Sequence, residues 1–211
     1  GHLVNFMGTD TVEALVLARK AYFEKMAGFS VNAAEHSTIT AWGKNRELDA
    51  YKNMLKHFAK PGSIVTVVSN SYDLDNAVVM WNTDLRQQVI DSGAVVVIRP
   101  DSGDPVETPL RTIERLGAGY GFTVNSKGFK VLNNVRVIQG DGMNPDSIHR
   151  LLWNLDFHGW SIDNIAVGMG GGLLQQVNRD TERFAQKASA ACSDGVWFDV
   201  RKEPKTDMTK A

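Results

Sequence analysis

The sequence predicts an α/β fold, most of an irregular β/α barrel, and three observations carry that expectation. Short apolar or β-branched runs alternate with helix-like segments six times along the 211 residues, the signature of a parallel sheet with right-handed crossovers. Polar clusters follow the carboxyl ends of the strand runs: Gly8-Thr9-Asp10, Glu35-His36, Ser69-Asn70-Ser71, Arg99-Pro100-Asp101, Gln139-Gly140-Asp141 and Gly170-Gly171-Gly172. In a barrel that rim carries the active site, whereas an open doubly wound sheet uses mainly one switch point. Beyond the βα period there is no internal repeat, low-complexity stretch or linker before about residue 195. The expected division is a barrel domain over residues 1–194 and a polar tail over 195–211.

The elements follow in order. "LVNFMGTD" reads as the first strand, and "TVEALVLARKAYFEKMAG" as its helix, with Val12, Leu15, Val16 and Ala18 at helical spacing. Thr9 or Asp10 is the candidate cap of that helix and Gly28 its stop. "FSVNAAEHST" is a weak second strand before the amphipathic "ITAWGKNRELDAYKNMLKHFA". "SIVTVVSNSYD" is a strong third strand, with "DLDNAVVMWNTDLRQQVI" as its helix. "AVVVIRPDSGDP" carries the strongest strand signal, and "VETPLRTIERLGAG" the next helix. "SKGFKVLNNVRVIQGDG" supplies a strand, followed by the helix "NPDSIHRLLWNLDFHG", capped by Asn144 with Pro145 in its first turn. "NIAVGMGGGLLQQV" is the sixth strand, running into a glycine-rich turn.

Bulk properties exclude several classes. A formal net charge of -1 gives no global attraction to nucleic acid or acidic membranes, so any anion site is local. No apolar run approaches the ~18 residues of a membrane span, and no secretory leader is seen. Cys192 is the one cysteine, which excludes an internal disulfide and favours a reducing compartment, so a cytoplasmic location is expected. The chain opens at Gly1-His2 and closes on "RKEPKTDMTKA"; both ends read as cut, and a fragment of a longer protein is expected.

Three rim clusters carry chemistry. "VIRPDSGDP" places a cation and two acids in a tight turn after a buried strand. Burying Arg99 and Asp101 is costly unless they pair with each other or with a ligand. In "VIQGDG" the glycines allow close backbone approach and Asp141 stands where the helix begins, although Gly-Asp-Gly also makes ordinary turns. "GMGGGLLQQ" has the composition of a phosphate cradle opening a helix. It matches neither the Walker pattern nor the dinucleotide fingerprint, so a terminal phosphate suits it better. Arg179 and Lys187 could add charge there, or form a solvated basic face. Trp42, Trp81, Trp153 and Trp160 lie within helix patterns and read as core. His36 beside Glu35 is open between packing, base, nucleophile and ligand.

Taken together, "HLVNFMGTDTVEAL", "AAEHSTITAWG", "VVSNSYD", "VVIRPDSGDP", "NSKGFK", "RVIQGDG" and "NIAVGMGGGLLQQVNRD" resemble, in order, the central and C-terminal parts of the nicotinamide phosphoribosyltransferase family, a type II phosphoribosyltransferase family. The resemblance runs to about Lys187. It implies a β/α barrel enzyme that condenses nicotinamide with phosphoribosyl pyrophosphate, giving nicotinamide mononucleotide and pyrophosphate in NAD biosynthesis. Mg²⁺ is the implied cofactor and ATP a co-substrate, in a homodimer with shared active sites.

On that resemblance Asp10 accepts a hydrogen bond from the nicotinamide amide and disfavours nicotinate by charge. Arg99, with Pro100 beside it, contacts the carboxamide or pyrophosphate. Asp101 and Asp141 meet the ribose hydroxyls and the Mg²⁺-bound pyrophosphate. Gly140, Gly170 and Gly171 admit the sugar and its 5′-phosphate, and Arg179 and Lys187 hold phosphate. His36 becomes the group phosphorylated by ATP. The family carries an aspartate where this chain has Asn70, which keeps a hydrogen bond but supplies no charge, so weaker ATP coupling is implied. The ring-stacking aromatics and a diphosphate-binding arginine would lie before Gly1, so the 211-residue chain alone is expected to be weak or inactive. The rival readings are a nicotinate phosphoribosyltransferase, another sugar-phosphate barrel enzyme, or a non-catalytic binding module. An aldolase is disfavoured because Lys127 and Lys130 precede a strand rather than end one.

Overall fold

A computed structural model describes residues 12–28, 30–169, 182–183 and 187–200. The predicted first strand, the glycine-rich turn and the helix after it lie outside the described residues. The chain divides into two compact units, Gly1–Asn32 and Ala33–Ala211. In the first, helix α1 spans Val12–Ala21, with Glu13 in its first turn and Arg19 and Lys20 in its last, signs that complement the helix dipole. It stops at Ala21, not at Gly28, and Phe23 follows at a φ of 58°.

The second unit is built on a five-stranded sheet in the order β1-β2-β3-β6-β7. Its strands are β1 (Asn32–Ala33), β2 (Ile64–Val68), β3 (Val95–Arg99), β6 (Val135–Gln139) and β7 (Ile165–Val167). From β2 to β7 every pairing is parallel, with Ile64 opposite Val95, Val96 opposite Val135 and Val137 opposite Ile165. Among the described residues strand order follows chain order without reversal, so these five strands have no switch point of the doubly wound kind. A closed barrel is not formed by the described residues; the coarser statement, a mixed α/β fold on a five-stranded parallel sheet, holds. Two antiparallel hairpins stand apart from this sheet: β4 (Phe122–Val124) with β5 (Lys130–Leu132), and β8 (Ala190–Ser193) with β9 (Val196–Asp199). The stretch from residue 195, expected to be a polar tail, therefore begins with a strand.

Among the described residues six α-helices serve this unit: α2 (His36–Thr40), α3 (Glu47–Phe58), α4 (Leu74–Asn82), α5 (Arg86–Ser92), α6 (Glu107–Tyr120) and α7 (Pro145–Phe157). Two predicted long helices are each broken. Gly43, at a φ of 79°, separates α2 from α3, a conformation that side chains resist. Thr83 ends α4 by donating its hydroxyl to the Val79 carbonyl. The α7 cap is the expected one: the Asn144 side chain accepts from the Ser147 N–H, and Pro145 takes the first turn.

The core lies between sheet and helices. Val65, Val67, Val96, Ile98, Val135 and Val137 meet Leu55, Trp81, Ile113, Leu116, Leu151 and Leu155. Trp81 and Trp160 are buried as expected, but Trp153 is 62% exposed and stacks only on its neighbour Phe157. Arg99 extends the less buried phase of β3, and its side chain emerges at the carboxyl end of the sheet. The rim clusters after β1, β2, β3 and β6 are thus gathered at one end of a rigid layer.

Candidate active site

His36 opens α2, and only 8% of it is exposed. Both ring nitrogens are engaged. Nδ1 lies 3.0 Å from the Ser71 hydroxyl and Nε2 lies 3.0 Å from Oδ2 of Asp101. Asp101 is gripped from the other side by Arg99, whose Nε and one terminal nitrogen donate to Oδ1 at 2.9 and 2.7 Å. The remaining terminal nitrogen of Arg99 donates to Oε1 of the exposed Glu35 at 3.0 Å. Glu35, His36, Ser71, Arg99 and Asp101 therefore form one connected cluster drawn from three strand–helix junctions.

The electrostatics fix the protonation pattern. Burial alone would raise the Asp101 carboxyl, but the His36 hydrogen bond and the Arg99 guanidinium together hold it below the usual carboxylate range. Burial likewise works against the Arg99 cation, and Asp101 and Glu35 more than restore it. An ionised carboxylate only accepts, so Nε2 of His36 carries a hydrogen, and in the neutral ring Nδ1 is then the acceptor and Ser71 donates to it. The Ser71 hydroxyl can donate or accept, so the ring can also hold its proton on Nδ1 without losing that partner.

Local backbone geometry delivers these groups. Asp101 sits at a φ of 50° and Gly103 at 88°, so the chain turns within four residues of the strand end. Asp tolerates the left-handed region better than most residues. Asn70 donates from Nδ2 to the Ser102 hydroxyl at 2.6 Å, tying this turn to the loop after β2. The imidazole's partner from that loop is thus Ser71 and not Asn70, whose Oδ1 is buried without a partner among the described residues. Ser71 and Glu35 were legible only as members of polar clusters; nothing in the sequence ranked Ser71 above its neighbours.

The other predicted residues separate into three groups. Pro100 is buried. Gly140 and Asp141 are exposed at the end of β6, where Gln139 Nε2 holds the Asp141 carbonyl at 2.9 Å. Lys187 is exposed. Asp10, Gly170, Gly171 and Arg179 lie outside the described residues. Among the described residues no group of three or more His, Cys, Asp or Glu side chains is assembled to hold a metal ion directly. Mg²⁺ favours oxygen donors and is commonly held by one or two carboxylates plus substrate phosphates. Asp141, exposed at the rim, fits that donor set, whereas Asp101 is already shared between His36 and Arg99.

Comparison with known proteins gives consistent results. The family model of the nicotinate phosphoribosyltransferase (NAPRTase) family matches residues 1–211. A nicotinamide phosphoribosyltransferase of Xanthomonas campestris pv. campestris is 57% identical over 210 residues, covering 99% of this chain and 45% of the relative. Proteins of the same name from Mycoplasma pneumoniae and Acinetobacter baylyi are 33% identical over 223 residues and 31% over 228. They cover 99% and 98% of this chain, and 47% and 45% of their own lengths. The chain thus spans about half the length of the relatives it matches.

Proposed function

Because the chain belongs to the nicotinate phosphoribosyltransferase family, we propose that it supplies the His36 rim of an enzyme joining nicotinamide to phosphoribosyl pyrophosphate in NAD biosynthesis. The observation that carries this reading is the buried His36, held between Asp101 and Ser71 beside a guanidinium at the sheet's carboxyl end. The amide substrate is favoured over nicotinate because all three relatives above bear the nicotinamide name.

In the transferase step the pyridine nitrogen bonds to C1 of the ribose while the C1–O bond to pyrophosphate breaks. The nitrogen is its own nucleophile, so no activated Ser or Cys is required. The demands are on the leaving group and on a developing oxocarbenium centre. Arg99 is a quarter exposed and its second partner, Glu35, is itself exposed, so an anion or a carbonyl could take the place of Glu35 on that side of the guanidinium. Asp141 and Gly140 meet the ribose, with Gly170, Gly171, Arg179 and Lys187 assigned to phosphate and Asp10 to the amide. Mg²⁺, carried with the pyrophosphate near Asp141, would supply charge neutralisation for the leaving group.

In the ATP step His36 accepts a phosphoryl group. Ser71 is fully buried, so phosphate reaches the ring from the Asp101 side, at Nε2. The ring reacts as the tautomer with its hydrogen on Nδ1, donated to Ser71 Oγ; the Nε2 lone pair bonds to the γ-phosphorus, the bond from that phosphorus to the bridging oxygen breaks, and ADP leaves with the oxygen. Asp101 yields its place at Nε2 and stays paired with Arg99. The sheet is completed as a barrel in a dimer, in the cytoplasm, by sequence beyond these 211 residues.

Product formation by the full-length protein from nicotinamide and from nicotinate, each with and without ATP, tests this reading. Nicotinamide is expected to be the better substrate, with ATP raising the yield. A preference for nicotinate would refute the role of Asp10, and indifference to ATP in the wild type would refute that of His36.

A further inference from the structure

Glu35 is the member of the cluster to which the chemistry above gives no task of its own. It stands immediately before α2, and its backbone is fixed there. Its N–H donates to the Thr38 hydroxyl at 3.4 Å, and its carbonyl accepts the Thr38 N–H at 3.0 Å. From that anchored position a side chain 68% exposed reaches to 3.0 Å from Arg99. Arg99 therefore carries two carboxylates. Asp101 accepts from Nε and Nη2, and Glu35 accepts from Nη1. With three of the five guanidinium N–H groups so engaged, two remain without an acceptor among the described residues.

A ligand meeting those two groups finds donors whose positive charge is already more than balanced. One cation faces two carboxylates, and a neutral His36 ring adds no charge. An uncharged carbonyl needs only the hydrogen bond. A carboxylate in the same place also meets the fields of Asp101 and Glu35. We propose that Glu35 is a specificity residue, biasing Arg99 toward the uncharged carboxamide of nicotinamide and against the carboxylate of nicotinate. The proposal rests on the transferase reading and narrows it, because it assigns Arg99 to the carboxamide rather than to pyrophosphate. Two acids then divide the work: Asp10 is assigned to the amide N–H, and Glu35 acts through Arg99 at the carbonyl. Glu35 is largely exposed, so solvent screens it and its effect is modest and salt-dependent.

Turnover of nicotinamide by the full-length protein, with nicotinate as a competing inhibitor, tests this. The quantity read is a discrimination ratio, the inhibition constant of nicotinate over the KM of nicotinamide. Glu35→Gln keeps an oxygen that can accept from Arg99 but removes the charge. It should lower the ratio by roughly two- to fivefold at low salt. Damage to α2 alone would weaken both ligands alike and leave the ratio in place. In about 1 M salt, where the Debye length is roughly 3 Å, the difference between variant and wild type should shrink. A ratio unchanged in Glu35→Gln, or a fall undiminished by salt, overturns the proposal in a working transferase. Absence of nicotinamide turnover in the wild type would instead refute the transferase reading, and the proposal with it.

Discussion

Asp101 does two jobs with two oxygens: Oδ2 receives the imidazole and Oδ1 the guanidinium. A charge-assisted hydrogen bond contributes about 1.5–3 kcal/mol, so Asp101→Asn should lower stability at neutral pH by about that amount in denaturant titrations. Ser71→Ala removes a neutral partner worth about 1 kcal/mol and should cost roughly a few-fold to tenfold in the rate of His36 phosphorylation, measured with labelled ATP. Asp101 also has a signature in stability. Its carboxyl is held below its ordinary value, so its contribution is present above the unfolded carboxylate range and is lost as pH falls through the folded value. Acid unfolding followed by circular dichroism should show a shallower loss below about pH 4 in Asp101→Asn; an identical acid limb would contradict the pairing. At this scale the sequence disclosed the cost of burying Arg99 beside Asp101, and the structure resolves it by pairing the two. It could not disclose that His36 takes the second oxygen, because that contact joins residues 65 apart in the chain.

Among the elements, α3 carries the opposite pH sign. Burial raises the Glu47 carboxyl to about 7, so the native state binds its proton more tightly than the unfolded chain. Stability is greatest below the ordinary carboxylate range and falls as pH rises through about 7, by on the order of 3 kcal/mol in all. Glu47→Gln should flatten that decline between pH 5 and 8 in denaturant titrations; an unchanged slope would contradict the burial argument. In α6, a Cβ on Gly117 would meet the Trp160 ring at 2.6 Å. Gly117→Ala should therefore destabilise by about 1–3 kcal/mol, against the ~1 kcal/mol that helix propensity alone would return; a raised melting temperature would refute this. Strand and helix identities were legible from periodicity because sheet and helices bury the faces that alternation and helical spacing mark, as in "AVVVIRP" and "NPDSIHRLLWNL". Helix breaks at Gly43 and Thr83 were not, since apolar positions continue on both sides of each. The β8–β9 hairpin was missed because it buries little: Val196 and Trp197 are 67% and 72% exposed, leaving no hydrophobic face for the pattern to reveal.

Over the whole molecule, the chain-ordered parallel sheet brings four polar rim clusters, far apart in sequence, to one end. The chain spans about half of its relatives, and the 211 residues alone are expected to turn over far more slowly than the full-length protein. Full-length rates from this piece would overturn the proposed need for upstream groups. His36 is the proposed phosphoryl acceptor, and incubating the full-length protein with γ-labelled ATP and locating the label tests it. The predicted result is an acid-labile, base-stable phosphate on His36, absent in His36→Ala together with the ATP stimulation of product formation. Label on another residue, or ATP stimulation that survives in His36→Ala, would contradict it.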